Sequence, residues 1–173
     1  MKTNQSVILG AVVLVAVLVV AYLAFNYLYV PVVAAGDTIN VSYTGTFTNG
    51  TVFDTNIGKK PMEFKVGSGQ LIRGFDNGVI GMRLNQEKTL TIPANEAYGE
   101  INPDFIFVIP ANLPIFGNHI PEVGMVMSRS YNGQVQQGFV TAVNATNVTI
   151  DFNQPLAGKI LVFQIKVLEI HKG

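Results

Sequence analysis

Hydrophobic and polar positions divide the chain into an apolar N-terminal run and a longer part with strand-like alternation. Residues 7–30 read VILGAVVLVAVLVVAYLAFNYLYV and contain no charged side chain. About 20 apolar residues are enough to cross a bilayer as a helix. In a helix that packs one side on a soluble core, polar residues recur about every 3.6 positions, and this run has no such pattern. The pattern therefore predicts one transmembrane helix, through which the protein associates with a membrane.

The end of this run leaves two alternatives open. Val33 and Ala35 are small residues at the spacing that signal peptidase prefers, which is compatible with cleavage after Ala35. The run is longer than the roughly 7–15 apolar residues of a secretory signal, which favours a retained anchor. Lys2 is the only charged side chain before Asp37. The positive-inside rule then predicts a single-pass protein with a cytoplasmic N-terminus and an extracytoplasmic folded part.

Strand and turn patterns dominate after residue 36. Ile39, Val41 and Tyr43 alternate with polar residues, and Asn49-Gly50 is a dipeptide typical of tight hairpins. A second alternating set near the C-terminus predicts a half-buried strand: Leu161, Phe163, Ile165 and Val167. Only residues 70–84 show apolar spacing of three and four, and their three glycines predict a short helix.

A change of composition separates residues 101–151 from the rest. This segment holds four prolines and then the strand-like runs MVMSRS, GFVTAV and NVTIDF, with a turn signal at Asn132-Gly133. The division predicted is a membrane anchor and junction at residues 1–35, a domain formed by residues 36–100 and 152–173, and an inserted domain at residues 101–151.

Composition excludes several classes of function. The formal net charge is zero and no basic cluster is present, which argues against a nucleic-acid partner. Cysteine is absent, so there is no disulfide frame and no thiolate chemistry. His119 and His171 stand alone in the sequence, so no metal site and no cofactor are expected.

Four segments in fixed order carry a family resemblance: VSYTGTFTNGTVFDTN (41–56), MEFKVGSGQLIRGFDNGVIGM (62–82), IPANEAYGE (92–100) and DFNQPLAGKILVFQIKV (151–167). They resemble the FKBP family of peptidyl-prolyl cis-trans isomerases. The insertion after AYGE is similar to the flap insert of the SlyD-like and archaeal branch, in which the insert folds as a chaperone domain. The segments offer no nucleophile–base pair, so chemistry by binding and desolvation is expected.

The resemblance implies an α+β fold, in which an antiparallel half-barrel sheet wraps one short helix and carries a small, mostly β flap domain. It implies catalytic roles for Tyr43, Asp54 and Tyr98. It also implies that substrate is bound by Phe53, Phe64, Leu71, Ile72, Phe75 and Phe163. The implied partners are unfolded or proline-containing polypeptides and macrolide inhibitors of the FKBP type.

Two departures and the rival interpretations also follow from the sequence. Phe75 stands where the family often has tryptophan, and Gln154 stands where the SlyD-like branch commonly has histidine. An isolated aspartate such as Asp54 is more often a turn or capping residue, and only the fit of the whole set to the family favours a role in the site. A holdase with a vestigial isomerase pocket, or a structural β-domain at the surface, are the competing functions, and only the first accounts for VFDTN and AYG.

Overall fold

Two antiparallel sheets make up most of the chain after residue 36. The computed structural model describes residues 2–28, 31–117 and 121–173. The strands are β1 (Thr38–Phe47), β2 (Val52–Thr55), β3 (Met62–Lys65), β4 (Glu87–Ile92), β5 (Ile106–Pro110), β6 (Val126–Tyr131), β7 (Gln134–Val143), β8 (Asn147–Asp151) and β9 (Leu161–His171). The α-helices are α1 (Lys2–Leu28) and α2 (Arg73–Gly78). The predicted α+β class is confirmed.

The first sheet has the order β2-β1-β9-β4, and β3 pairs with the same edge of β1 as β2 does. It curls around α2 as a half-barrel. The alternation that predicted β1 and β9 places Ile39, Val41, Ile165 and Val167 in the core, each at most 2% exposed. Such alternation lets one face of a strand pack while the other meets solvent. The predicted half-barrel around a short helix is therefore present.

Helix α2 is shorter than the sequence predicts. Spacing predicted a helix across residues 70–84, whereas the observed helix has six residues. Ile72 is extended, with ψ at 141°, so the helix begins after it. At the other end Gly81 has a φ of +82°, a left-handed conformation that suits glycine and breaks the helix.

Glycines let α2 lie close to the sheet. A methyl group at Gly74 would overlap the side chain of Ile92, and one at Gly78 would overlap Leu90. The helix therefore brings Phe75, which is 3% exposed, directly against the concave face of the sheet.

The second sheet is formed by residues of the predicted insert, in the order β5-β8-β7-β6. Its small core contains Phe116, Val140, Val148 and Ile150. Asn132 and Gly133 both have positive φ, at 51° and 78°, which suits the two-residue turn between β6 and β7. The limits assigned to the insert, residues 101–151, stay a prediction.

Helix α1 covers most of the apolar N-terminal run, and its described apolar side chains, among them Ile8, Leu14 and Leu18, are about 60% exposed. Within the described part of the chain, no helix combines the length and the hydropathy that a bilayer crossing requires. The predicted transmembrane helix is therefore not confirmed. Residues 29 and 30, the end of the predicted span, lie outside the described residues.

Candidate active site

A cavity of about 260 Å³ opens between the concave face of the first sheet, α2 and the segment before α2. Eight of the nine predicted site residues line it: Tyr43, Phe53, Asp54, Leu71, Ile72, Phe75, Tyr98 and Phe163. The structure thus brings together residues that are as far apart in sequence as β1 and β9. Their individual roles stay predictions.

Phe163 lies at the centre of the aromatic wall. Its ring centroid is 5.2 Å from that of Phe75, 5.6 Å from Phe53 and 6.0 Å from Tyr43. The first two contacts are edge-to-face, with interplanar angles of 89°. Edge-to-face rings fix one another's orientation. The rings that wall the cavity therefore hold one another in fixed orientations, and they present apolar surfaces to the space inside it.

Phe64 is not among the residues that line the cavity, and its contact with substrate stays a prediction. It is 5% exposed, and its ring packs edge-to-face against Phe75 with centroids 5.9 Å apart. It therefore supports Phe75 from behind. Met62, two residues earlier on β3, lines the cavity instead. The period of two along β3 places Met62 and Phe64 on one face, a signal that identifies Met62 as a candidate.

One polar pair interrupts the apolar wall. The hydroxyl of Tyr43 donates a hydrogen bond of 2.5 Å to Oδ2 of Asp54. The two side chains come from paired strands, since Gly45 of β1 lies opposite Asp54 of β2. The peptide of Tyr43 is also fixed: its N–H donates to Oδ1 of the buried Asn56, and its carbonyl accepts from the hydroxyl of Thr55. Asp54 therefore orients the Tyr43 hydroxyl.

The pKa of Tyr43 is raised to about 12. Burial of the phenol is the largest cause, and the hydrogen bond to Asp54 and the charge of Asp54 act in the same direction. The phenol is therefore protonated throughout the neutral range. An unfolded tyrosine has a pKa near 10. The folded protein binds this proton more tightly than the unfolded chain, so the resulting stabilisation is complete below about pH 10 and is lost as the pH rises from about 10 to about 12.

We expect the NMR signal of the Tyr43 Cζ carbon to titrate with a midpoint near pH 12 in the wild type. In Asp54→Asn the midpoint should move towards 10, because the charge is removed while the burial remains. Tyr43→Phe assigns the signal. A wild-type midpoint near 10, or one that Asp54→Asn leaves unchanged, would contradict this arrangement.

The segment before α2 brings main-chain groups to the cavity. Leu71 and Ile72 line it, and the N–H of Ile72 has no acceptor among the described residues. The hydroxyl of Tyr98, a residue that is 43% exposed, likewise has no partner in the described part of the chain. Two hydrogen-bond donors are therefore available at the rim for carbonyl groups of a ligand. Gln70, which the sequence analysis missed, adds an amide to the lining.

Asp76 fixes this segment. Its carboxylate is 6% exposed and accepts hydrogen bonds from the N–H groups of Gly67, at 2.8 Å, and Gly69, at 3.4 Å. Neither N–H group has another acceptor among the described residues, so the carboxylate satisfies both and holds the turn in place. Asp76 therefore connects α2 to the turn that leads into Leu71 and Ile72.

In Asp76→Ala we expect the amide hydrogens of Gly67 and Gly69 to exchange faster with solvent and the free energy of unfolding to fall by about 1–3 kcal/mol, because buried donors lose their acceptor. Amide exchange followed by NMR measures the first effect. Asp104→Ala, which removes an exposed carboxylate near the second sheet, is the matched control. Unchanged exchange at both glycines in Asp76→Ala would refute the assignment.

No group of three or more His, Cys, Asp or Glu side chains suited to a metal ion occurs among the described residues. His119 lies outside them. The Nε2 of His171 lies 3.3 Å from Oε2 of Glu169. The cavity itself holds one carboxylate, that of Asp54.

Residues 31–168 match the family model described as FKBP-type peptidyl-prolyl cis-trans isomerase. The chain is 34% identical over 155 residues to a short-type peptidyl-prolyl cis-trans isomerase of Methanocaldococcus jannaschii, covering 82% of this chain and 96% of that protein. It is 34% identical over 118 residues to the SlyD isomerase of Helicobacter pylori, covering 68% and 63%. It is 54% identical over 67 residues to FK506-binding protein 4 of Gibberella zeae, covering 39% and 14%.

The family match, over residues 31–168, includes all the residues that line the cavity. The identity to the Methanocaldococcus jannaschii and Helicobacter pylori proteins is the same, 34%. They therefore do not support assigning the chain to an archaeal branch, and they do not bear on the predicted membrane anchor.

Proposed function

The chain belongs to the FKBP-type peptidyl-prolyl cis-trans isomerase family, and we propose that its aromatic cavity accelerates isomerisation of X–Pro bonds in unfolded polypeptides. The observation that carries the proposal is the cavity of about 260 Å³, walled by Tyr43, Phe53, Phe75 and Phe163, with the Tyr43–Asp54 pair at its side. The volume of the cavity suits the pyrrolidine ring of proline, and its aromatic walls suit the apolar surface of that ring.

The barrier to X–Pro rotation, near 20 kcal/mol, comes from amide resonance. Twisting the bond breaks this resonance and leaves the carbonyl less polar than in the planar amide. An apolar cavity therefore binds the twisted form more tightly than the planar one, which water solvates better. Differential binding of the twisted form lowers the barrier without a covalent step.

The donors at the rim complete the mechanism. The Ile72 N–H and the Tyr98 hydroxyl bind carbonyls on either side of the bond and hold the flanking chain while the bond turns. Asp54 accepts from Tyr43 and keeps that ring in place; it does not act as a general base. A barrier lowered by about 4–7 kcal/mol gives a rate gain of about a thousand- to a hundred-thousand-fold.

The experiment uses the full chain and measures cis/trans exchange in a short Ala-Xaa-Pro-Phe peptide by NMR exchange spectroscopy. Acceleration is expected, and an FK506-type macrolide should abolish it by occupying the cavity; such a ligand is what the name of the Gibberella zeae relative indicates for that protein. A folded chain that leaves the exchange rate at its spontaneous value would overturn the proposal.

A second function, binding of unfolded chains as a chaperone, is supported by the outer face of the second sheet. One row of side chains crosses all four strands. Val126 of β6 lies opposite Phe139 of β7, and Phe139 lies opposite Asp151 of β8. Asp151 in turn lies opposite Ile106 of β5. Val126, Phe139 and Ile106 are 51%, 37% and 37% exposed. Exposed apolar side chains in one row mark surfaces that bind other chains.

Substitution of Val126 and Phe139 by serine tests the chaperone function. Suppression of aggregation of a reduced, unfolding protein should weaken, while isomerisation of the short peptide should stay unchanged. Val52→Ser, at a 54% exposed position of the first sheet, is the control. If the wild type, the double serine variant and Val52→Ser suppress aggregation equally, this surface does not bind unfolded chains. Suppression without any isomerisation by the wild type would favour a holdase with a vestigial pocket.

The location at a membrane is a proposal that rests on the sequence. Residues 7–30 carry no charge, and Lys2 is the only charged side chain before Asp37. These features support a single-pass protein whose folded part lies outside the cytoplasm. Protease treatment of intact cells tests it, since digestion of the folded part without lysis is expected, and complete protection would reject it.

A further inference from the structure

A second groove, of about 410 Å³, is lined by residues of β7, of the connection between β8 and β9, and of the segment that begins at Tyr98. Tyr98 lines both this groove and the aromatic cavity. The two spaces therefore adjoin at this side chain. In extended chain each residue advances about 3.3 Å. A polypeptide with its proline in the cavity reaches the groove within a few residues.

Gln136 presents a fixed hydrogen-bond donor to the groove. Its Oε1 accepts from Nε of Arg129 at 2.9 Å, which leaves Nε2 directed away from Arg129, without an acceptor among the described residues. Arg129 is itself immobilised, because its guanidinium lies 4.3–5.3 Å from the ring centroids of four aromatic residues: Phe105, Phe107, Tyr131 and Phe152. Such contacts hold a guanidinium by its faces. The orientation of the Gln136 amide is therefore set in advance.

Gln154 presents a second donor from the connection between β8 and β9. Its Oε1 accepts from the N–H of Leu156 at 2.5 Å. The Nε2 of Gln154 is thus also left to donate, and it has no acceptor in the described part of the chain. Both glutamines line the groove, together with the rings of Phe105 and Phe152. The groove offers two uncharged N–H donors between aromatic surfaces.

We infer that this groove binds the extended segment of substrate that flanks the proline, through hydrogen bonds from Nε2 of Gln136 and Gln154 to its backbone carbonyls. This inference rests on the proposed isomerase function and deepens it. Uncharged donors match carbonyl groups, which every peptide unit carries whatever its side chain. The carboxylate of Glu100 in the lining opposes acidic segments. The groove therefore favours substrates with long segments beside the proline and disfavours substrates in which those segments are acidic. It does not alter the cavity that binds the proline itself.

The experiment compares two uncharged peptides, a short Ala-Xaa-Pro-Phe peptide and the same core with about four Ser or Ala residues added on each side. The variants are Gln136→Glu, Gln154→Glu and the double substitution, each of which replaces a donor by an acceptor of nearly the same shape. Gln134→Glu is the control, because it adds the same charge to an exposed position of β7 outside the groove.

For the wild type kcat/KM should be higher for the long peptide than for the short one. In the double variant that advantage should fall by about 3- to 30-fold through KM, since each hydrogen bond contributes modestly. The short peptide and Gln134→Glu should be unaffected. The side-chain amide signals of Gln136 and Gln154 should shift in NMR spectra on addition of the long peptide alone.

Two results would overturn the inference: an equal loss for both peptides, or no loss for either. Amide signals that the long peptide does not shift would also reject it. Failure of the isomerase function is distinguishable, because it appears as an absence of exchange with the short peptide in the wild type. The amide signals still report binding in the groove in that case.

Discussion

Replacing Phe75 with alanine is expected to lower the free energy of unfolding by about 3–5 kcal/mol, the loss seen when large buried aromatic side chains are truncated. Phe75 is 3% exposed and contacts the rings of Tyr43, Phe64 and Phe163. Its removal takes one ring contact away from each of the three and leaves a void between them. Because α2 is pinned against β4 through Gly74 and Gly78, the helix has little freedom to close the void.

The same substitution should also lower isomerase activity at temperatures at which the variant is still folded, because the cavity loses one of its walls and admits water. Denaturant unfolding measures the first effect and peptide exchange by NMR the second. Phe75→Leu keeps most of the volume and should lose less of both. Phe139→Ala, at a half-exposed ring of the second sheet, is the matched control. A Phe75→Ala protein as stable as this control would show that the ring cluster is not the core of the domain.

Asp54→Ala is expected to lower kcat/KM by about 10- to 100-fold. The carboxylate accepts a short hydrogen bond from Tyr43, and a charge-assisted bond of this kind contributes about 1.5–3 kcal/mol. Without it the Tyr43 ring is free to turn away from the cavity, and the polar side of the wall loses its fixed geometry. The loss should appear in kcat, because the rotation step depends on that geometry.

A double-mutant cycle separates this role from a general loss of structure. Tyr43→Phe removes the other half of the pair and keeps the ring. If Asp54 acts by orienting Tyr43, the double variant should lose little more than the worse single variant. Additive losses would mean that the two side chains act independently on substrate. Asp54→Asn retains an acceptor and should fall between the wild type and Asp54→Ala.

The strands and most of the cavity follow from the sequence for a physical reason. Val41 and Ile165 are buried because alternation places them on one face of β1 and β9, and this periodicity is local information. The meeting of Phe53, Phe75 and Phe163 is not local. It was predicted through the family resemblance, which carries the three-dimensional arrangement that spacing alone lacks.

The errors also have physical causes. The helix at residues 70–84 was predicted too long because apolar spacing continues past the point where Gly78 and Gly81 end the helix. Sequence also does not show depth: the ring of Phe64 packs against Phe75 and does not line the cavity, and its role toward substrate stays a prediction. The sequence predicts no binding role for Gln136 and Gln154. Their side-chain oxygens accept hydrogen bonds from Arg129 and Leu156, which leaves the side-chain N–H groups free to donate, and these contacts exist only in the folded chain.

The position of β9 has a consequence for biosynthesis. Among the described strands β9 is synthesised last, yet it lies between β1 and β4 in the first sheet and carries Phe163. The strands of the second sheet, β5 to β8, are all synthesised before it and pair only with one another. The pairing of β1 with β9 spans more than a hundred residues and closes slowly. The second sheet is therefore able to form on the nascent chain while the cavity still lacks the wall that Phe163 supplies.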